Sequence, residues 1–280
     1  MVEVNGRNQA QTLGDVAIGA ASTAIQRDVY GVLQNVNGGS LTATLTPTPL
    51  TVSGLQLWYA QEFIENVNKV SQWTDMSGNN RHATQTVLER QPESDAWDMN
   101  GHRGLEFNEG EQRFMYHPYL GEIGTVFIVA YPVYTSTHRS FMGADSNVAN
   151  TGSYYLKNTA TNGLVDFSMG NAANGGTSTY ATHPGDRILS IFTYEYDTSN
   201  NYMRVHASAS NAEGFTTFEG TRAPVVNTNG NPVIGAAYWM HGVVDHLTGF
   251  VYEILFYNPR LSSADYTKVY DYLKQKYALT

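Results

Sequence analysis

The chain has 280 residues, of which only 15% are charged, with a net charge of −9 and no cysteine. An acidic chain without a Lys or Arg run lacks the basic stripe that nucleic acid requires. The absence of cysteine excludes disulfides, thiolate metal sites and thiol catalysis.

No segment reaches 18 apolar residues, so no membrane insertion is expected. The opening MVEVNGRNQAQTLGD has no apolar core of signal-peptide length. No Asn-x-Ser/Thr acceptor occurs, which argues against a eukaryotic secreted glycoprotein. A cysteine-free chain suits assembly in a reducing cytoplasm and later exposure to an oxidising exterior. The 26 Gly and 19 Tyr, with abundant Asn, Thr and Ser, favour strands and turns over helices.

Residues 1–52 differ from the rest. A weak apolar series (Val16, Ile18, Ala21, Ile25) is followed by GGSLTATLTPTPLTVSG, where Pro47 and Pro49 oppose helix and central strand alike. Such a segment cannot bury enough surface to fold alone, and it reads as an arm that is ordered by docking on something else.

From Leu55 onward the pattern is β. GLQLWYA alternates Leu55, Leu57 and Tyr59. GLEF (104–107) is short, and GTVFIVAYPVY (124–134) is nearly continuous in apolar residues, as in a strand covered on both faces. Residues 187–196 and 202–209 read as a hairpin around DTSNN, with Met203, Val205, Ala207 and Ala209 on one face. GFVYEILFYNPR (249–260) is a further strand, stopped at Asn258-Pro259. The end is helical over about 262–277: Ser262 or Ser263 caps it, Asp265 lies in its first turn, and Tyr266, Val269, Tyr270, Leu273 and Tyr277 share a face. Many short strands and one terminal packing helix imply a β-sandwich, and no repeat of 20–50 residues suggests a solenoid.

Motifs for chemistry are sparse. GNAANGGT (170–177) has the two glycines of a phosphate loop but Gly176 where the lysine belongs, so it reads as a surface loop. In HGVVDH, His241, Asp245 and His246 match no zinc spacing and read as loop residues. EYDTS (195–199) lacks the third acid of a Glu-x-Asp-x-Glu glycosidase strand. Glu253 lies in an apolar run; an edge or solvent-facing position is its ordinary reading, and a buried or functional acid the alternative. Trp58, Trp73, Trp97 and Trp239 are candidates for stacking on sugars, although a sandwich of this size also needs large core residues. QWTDMSGNNRHATQ (72–85) concentrates polar groups, and Ser77, Gly78, Asn79 and Asn80 suit a turn that bonds its own backbone.

In order, SGLQLWY (53–59), VSQWTDMSGNNRHATQ (70–85), GLEFNEG (104–110) and GFVYEILFYNPRLSSADYTKVYDYLKQKYAL (249–279) resemble the concanavalin A-like, laminin-G-like jelly-roll domains common in virion proteins of tailed bacteriophages. The resemblance covers residues 53–280. It implies an all-β, concanavalin A-like jelly-roll sandwich with an extended N-terminal arm (1–52) and a C-terminal α-helix. The first strand would lie near the last, with Trp73 in the core and Asp75 satisfying loop amides. Some relatives bind calcium or glycans at one rim. Calcium takes six to eight oxygens and only Asp75 and nearby amides are in view, so no cofactor is expected, calcium being the one left open. No residue is assigned a catalytic, cofactor-binding or metal role.

The domain type is shared by lectins, adhesins, hydrolases and structural modules. The arm tips the expectation toward a non-enzymatic virion structural protein, a capsid decoration (cement) protein with weak glycan adhesion, located on the virion surface. Its expected partners are the major capsid protein or another virion protein through the arm, further copies of itself (a trimer by analogy with such proteins) and a host glycan. The alternative is a tail-fibre or receptor-binding adhesin that recognises a host surface glycan.

Overall fold

The computed structural model describes residues 48–120, 124–133, 139–144, 153–159, 164–170, 177–182, 186–197, 202–209, 212–219, 232–239 and 242–279. Before residue 48 it describes only four three-residue strands, Val16–Ile18 paired with Ala43–Leu45 and Ile25–Arg27 with Leu33–Asn35. The arm expected over 1–52 therefore lies mostly outside the described residues. Its last part is already seated: Pro49–Thr51 form a 3-10 turn, Val52 is buried, and the Tyr257 hydroxyl donates to the Pro49 carbonyl at 3.2 Å.

The strand Gly249–Tyr257 organises the sheet, because an apolar run of this length can be buried on both faces. One edge pairs throughout with Thr125–Pro132. The other is shared: Leu55–Asn66 takes Ile254 to Tyr257, and His102–Phe107 takes Gly249 to Val251. First and last strands thus lie side by side. Leu55–Asn66 also pairs with Lys69–Asp75, which reaches His102–Phe107 through Glu93–Met99. These five strands form a closed circuit.

Outward from Thr125–Pro132 come Ser190–Asp197, Tyr202–Ala209 and Ala212–Glu219. Outward from Lys69–Asp75 come Ala83–Thr84, Met115–Tyr116, Val233–Ile234, Arg139–Ala144, Ser153–Thr159, Leu164–Gly170 and Thr177–Thr182. Every described ladder is antiparallel. The two extremes meet again, Thr177–Thr182 packing on Tyr202–Ala209 and Ala212–Glu219. The result is an all-β jelly-roll sandwich.

Two apolar layers hold it. Between the sheets, Trp73, Phe141, Phe192, Tyr194, Val205 and Phe256 are among the buried residues. On the outer face of the central strands, Phe127, Val129, Leu255 and Tyr257 are covered by Val269, Tyr270 and Leu273 of the helix Ser263–Lys276. Full burial of one such side chain contributes about 1.5–3 kcal/mol. The helix starts as its sequence predicts: the Ser262 hydroxyl oxygen accepts from the Asp265 amide at 3.2 Å, with Lys274 and Lys276 in the last turn.

The ladders also sort the loops into two ends. One end carries residues 48–54, the turn 76–82 and residues 258–261, where the Asn258 amide donates to Gly54 and the Met76 amide to Trp58. The opposite end carries the hairpin turn at Val67-Asn68, residues 92–94 and the loop 108–113, linked by Val70 to Pro92 and Ser94 to Asn68 backbone bonds.

Candidate functional site

Asp75 closes its strand and is almost completely buried. One of its oxygens accepts from the backbone amides of Trp58 (3.0 Å) and Ser77 (2.9 Å). The other accepts from the Ser77 hydroxyl and the Arg81 amide, both at 2.9 Å. Asn79 reaches back to the Leu55 and Gln56 carbonyls, and Asn80 adopts a left-handed φ of 57°. Trp73 is fully buried, stacked on Tyr59 with centroids 5.2 Å apart, and donates its indole N–H to the Ala60 carbonyl. The polar stretch is therefore a turn whose carboxylate is consumed by its own fold.

Glu253 departs from its ordinary sequence reading. It is neither at an edge nor solvent-facing: its exposure is 0%. The cause is the helix layer: Glu253 alternates with Ile254 onto the face of Leu255 and Tyr257, which the terminal helix covers. Val129 faces Glu253 and Ala130 faces Val251, so Tyr252 is the extra residue, and Tyr252 and Glu253 both turn toward the helix layer. There Glu253 accepts from the Trp58 indole (2.6 Å), Lys276 Nζ (2.6 Å), the Tyr277 hydroxyl (2.9 Å) and the Tyr272 hydroxyl (3.4 Å). Burial, and then the Glu253 charge, push the Tyr277 and Tyr272 hydroxyls well above the ordinary tyrosine range, so both remain donors. The cluster carries an acid, an amine and phenols, the residue types of an active site. Its geometry is that of an anchor that fixes the end of the helix.

The other acids considered for hydrolysis fare similarly. Glu195 is buried and paired with Arg204 across the ladder; burial raises its pKa, against the pull of Arg204 and Arg260. Asp197 lies toward Arg260 at 3.8 Å. His246 is buried against the Phe114 ring, 5.9 Å between centroids, and burial lowers its pKa. His241, residues 171–176 of the loop considered for phosphate, and the side chains of Trp97 and Trp239 lie outside the described residues. Among the described residues, no group of three or more His, Asp or Glu could hold a metal ion.

Trp58 and Trp73 are buried and offer no open face to a sugar. Among the described residues, the large exposed aromatics are two that sequence reasoning passed over, Tyr116 at 38% and Tyr119 at 41% exposure. Tyr116 is braced at 5.1 Å by the edge of Phe114, over which Arg90 lies at 5.8 Å. The signal available for them was a pair of tyrosines around His117-Pro118 in RFMYHPYL, a short segment with no apolar alternation.

No family model matches the chain, and no curated protein matches it. Solved structures similar to it in strand arrangement include the CBM40 module of Ruminococcus gnavus IT-sialidase bound to α2,3-sialyllactose, at 14% identity and a TM-score of 0.45, over 53% of this chain and 83% of that one. A leech intramolecular trans-sialidase matches at 16% identity and a TM-score of 0.44, over 57% of this chain and 24% of that one. Trypanosoma rangeli sialidase matches at 13% identity and a TM-score of 0.46, over 83% of this chain and 34% of that one.

Proposed function

We infer that the chain is a non-enzymatic structural and binding module of a tailed-bacteriophage virion, a capsid decoration protein that attaches by its N-terminal segment and displays the sandwich outward. The observation that carries the non-enzymatic part is the fate of the acids: Asp75, Glu253 and Glu195 are each buried and bonded to groups of the fold. The virion part is supported by the ordered resemblance over residues 53–280 and by an N-terminal segment too polar and proline-rich to fold alone.

The test is particle composition. Copies should be present on purified heads in the hundreds, and deletion of residues 1–47 should abolish incorporation while the remainder stays folded by circular dichroism. Unchanged incorporation of the truncated chain rejects attachment by this segment. Release of reducing sugar from bacterial surface polysaccharide rejects the non-enzymatic reading.

The alternative, a tail-located adhesin, is favoured by one observation, the exposed and braced Tyr116 beside Tyr119, since flat aromatic faces suit the C–H faces of sugars. A few copies at the tail tip and a glycan-array signal lost in Tyr116→Ala would select it. A silent array would remove it.

A further inference from the structure

The end of the terminal helix is satisfied carbonyl by carbonyl. Of its last four, Leu273, Lys274 and Gln275 accept from the backbone amides of Tyr277, Leu279 and Ala278. This is a Schellman closure, but Ala278 stands at a left-handed φ of 52° where glycine is usual, and alanine adopts that region only at a cost. The fourth carbonyl, that of Lys276, accepts from outside the helix, from the side-chain amide of Asn100 at 2.7 Å. The cap thus depends on a residue 176 positions away, in the two-residue turn that joins Glu93–Met99 to His102–Phe107. Beside it the His102 ring lies edge-on to Tyr277, 5.3 Å between centroids.

The turn that supplies this donor carries a reactivity of its own. Asn100, at φ 54°, is exposed and is followed by exposed Gly101, at φ 81°. Nothing lies within 4 Å of the point where a side chain on Gly101 would begin. With no Cβ beside it, the Gly101 nitrogen has open access to the side-chain carbonyl carbon of Asn100. Among the described residues this is the one Asn-Gly pair.

We propose that Asn100 is a site of spontaneous deamidation, and that its conversion releases the C-terminal turn of the helix. The Gly101 backbone nitrogen bonds to Cγ of Asn100, the Cγ–Nδ2 bond breaks, and Nδ2 leaves as ammonia with the proton that the Gly101 nitrogen gives up. A five-membered succinimide results. Water then adds to one of the two ring carbonyls and opens the ring to aspartate or isoaspartate. No electrons are transferred. Either product replaces the donor NH2 by a carboxylate, so the Lys276 carbonyl loses its partner and faces a negative charge at the negative end of the helix dipole. While the helix end is closed, the bond to Lys276 holds the amide in place. Conversion therefore proceeds through openings of the last turn, and the product keeps that turn open.

The experiment incubates the full chain at mildly alkaline pH, folded in buffer and unfolded in urea, and follows residue 100 by peptide mass mapping. The expected result is conversion in both, about tenfold or more slower in the folded chain, with isoaspartate as well as aspartate among the products. Hydrogen exchange at Tyr277, Ala278 and Leu279 should be faster in the converted chain and in fresh Asn100→Asp, while Thr125–Pro132 keeps its protection. Residue 100 unmodified in the folded chain after about a hundred times the period that converts the unfolded one overturns the site. Aspartate without isoaspartate overturns the route through the ring. Unchanged exchange at 277–279 in Asn100→Asp overturns the release of the helix end, as does a loss of protection spread over the whole sheet.

Discussion

Asp75 and Glu253 are both buried carboxylates that accept four hydrogen bonds, yet they work over different distances along the chain. Asp75 takes three of its bonds from residues within six positions, Ser77 and Arg81, and so shapes one turn. Glu253 takes bonds only from side chains, one of them 195 positions away, and so fixes the helix to the sheet and the sheet to the first strand. Trp58 belongs to both, giving its amide to Asp75 and its indole N–H to Glu253. A carboxylate at a turn is a local device; the same group in a sheet interior joins elements that the chain makes far apart in time.

The largest expected effect follows from that difference. Glu253→Ala strands the Lys276 ammonium and three further donors in a buried site, and should cost about 3–5 kcal/mol in chemical denaturation. An unchanged midpoint would remove the anchor from this account. Glu253→Gln, which keeps the shape and part of the acceptor capacity, should fall between the two.

Acid titration addresses a region that neither carboxylate reaches. His117 is buried, its Nδ1 lies 2.9 Å from the Pro118 carbonyl, and burial lowers its pKa to about 4, from about 6.5 when unfolded. The folded state then binds fewer protons than the unfolded state between these values. Its contribution is complete above about pH 6.5 and is lost as pH falls toward 4, by up to about 3 kcal/mol. Stability curves measured from pH 7 to 4 should lose that component in His117→Phe. A variant curve parallel to the wild type would refute it.

Asp75→Ala should cost less, about 1–3 kcal/mol, because three of the four freed donors are part-buried groups of one turn and none carries a charge. A loss equal to that of Glu253→Ala would erase the distinction between local and long-range roles. The smallest effect has the opposite sign. The turn at Val67-Asn68 has no carboxylate to hold it and places a β-branched residue at φ 47°. Val67→Asn should stabilise by about 0.5–1 kcal/mol, because Asn tolerates this backbone region. A destabilised variant would show that Val67 contributes to folding itself.

Much of this was legible in sequence. The strand Thr125–Pro132 within the apolar run, the buried alternation of Met203, Val205 and Ala207, and the caps and apolar face of the terminal helix all lie where periodicity puts them. So does the turn at Ser77–Asn80, because those residues satisfy backbone groups locally. Glu253 was misread for an identifiable reason: its burial depends on a helix that returns to cover the face it shares with Leu255 and Tyr257, and that cover is not encoded within GFVYEILFY. Glu93–Met99 was missed because ESDAWDM carries three acids, and it becomes a strand by pairing with His102–Phe107 across the left-handed Asn100-Gly101 turn. Tyr116 was missed because its strand is two residues long.

The closed circuit of five strands has a consequence for how the protein is made. Leu55–Asn66 emerges from the ribosome long before its partner along one edge, Ile254 to Tyr257. Until then Trp58 has no acceptor for its indole, and the open edge is available to other chains. Closure of this sandwich must therefore wait until residue 257 has emerged, with a high contact order and a slow final step. A ribosome stalled before residue 249 would hold a chain that cannot complete its core.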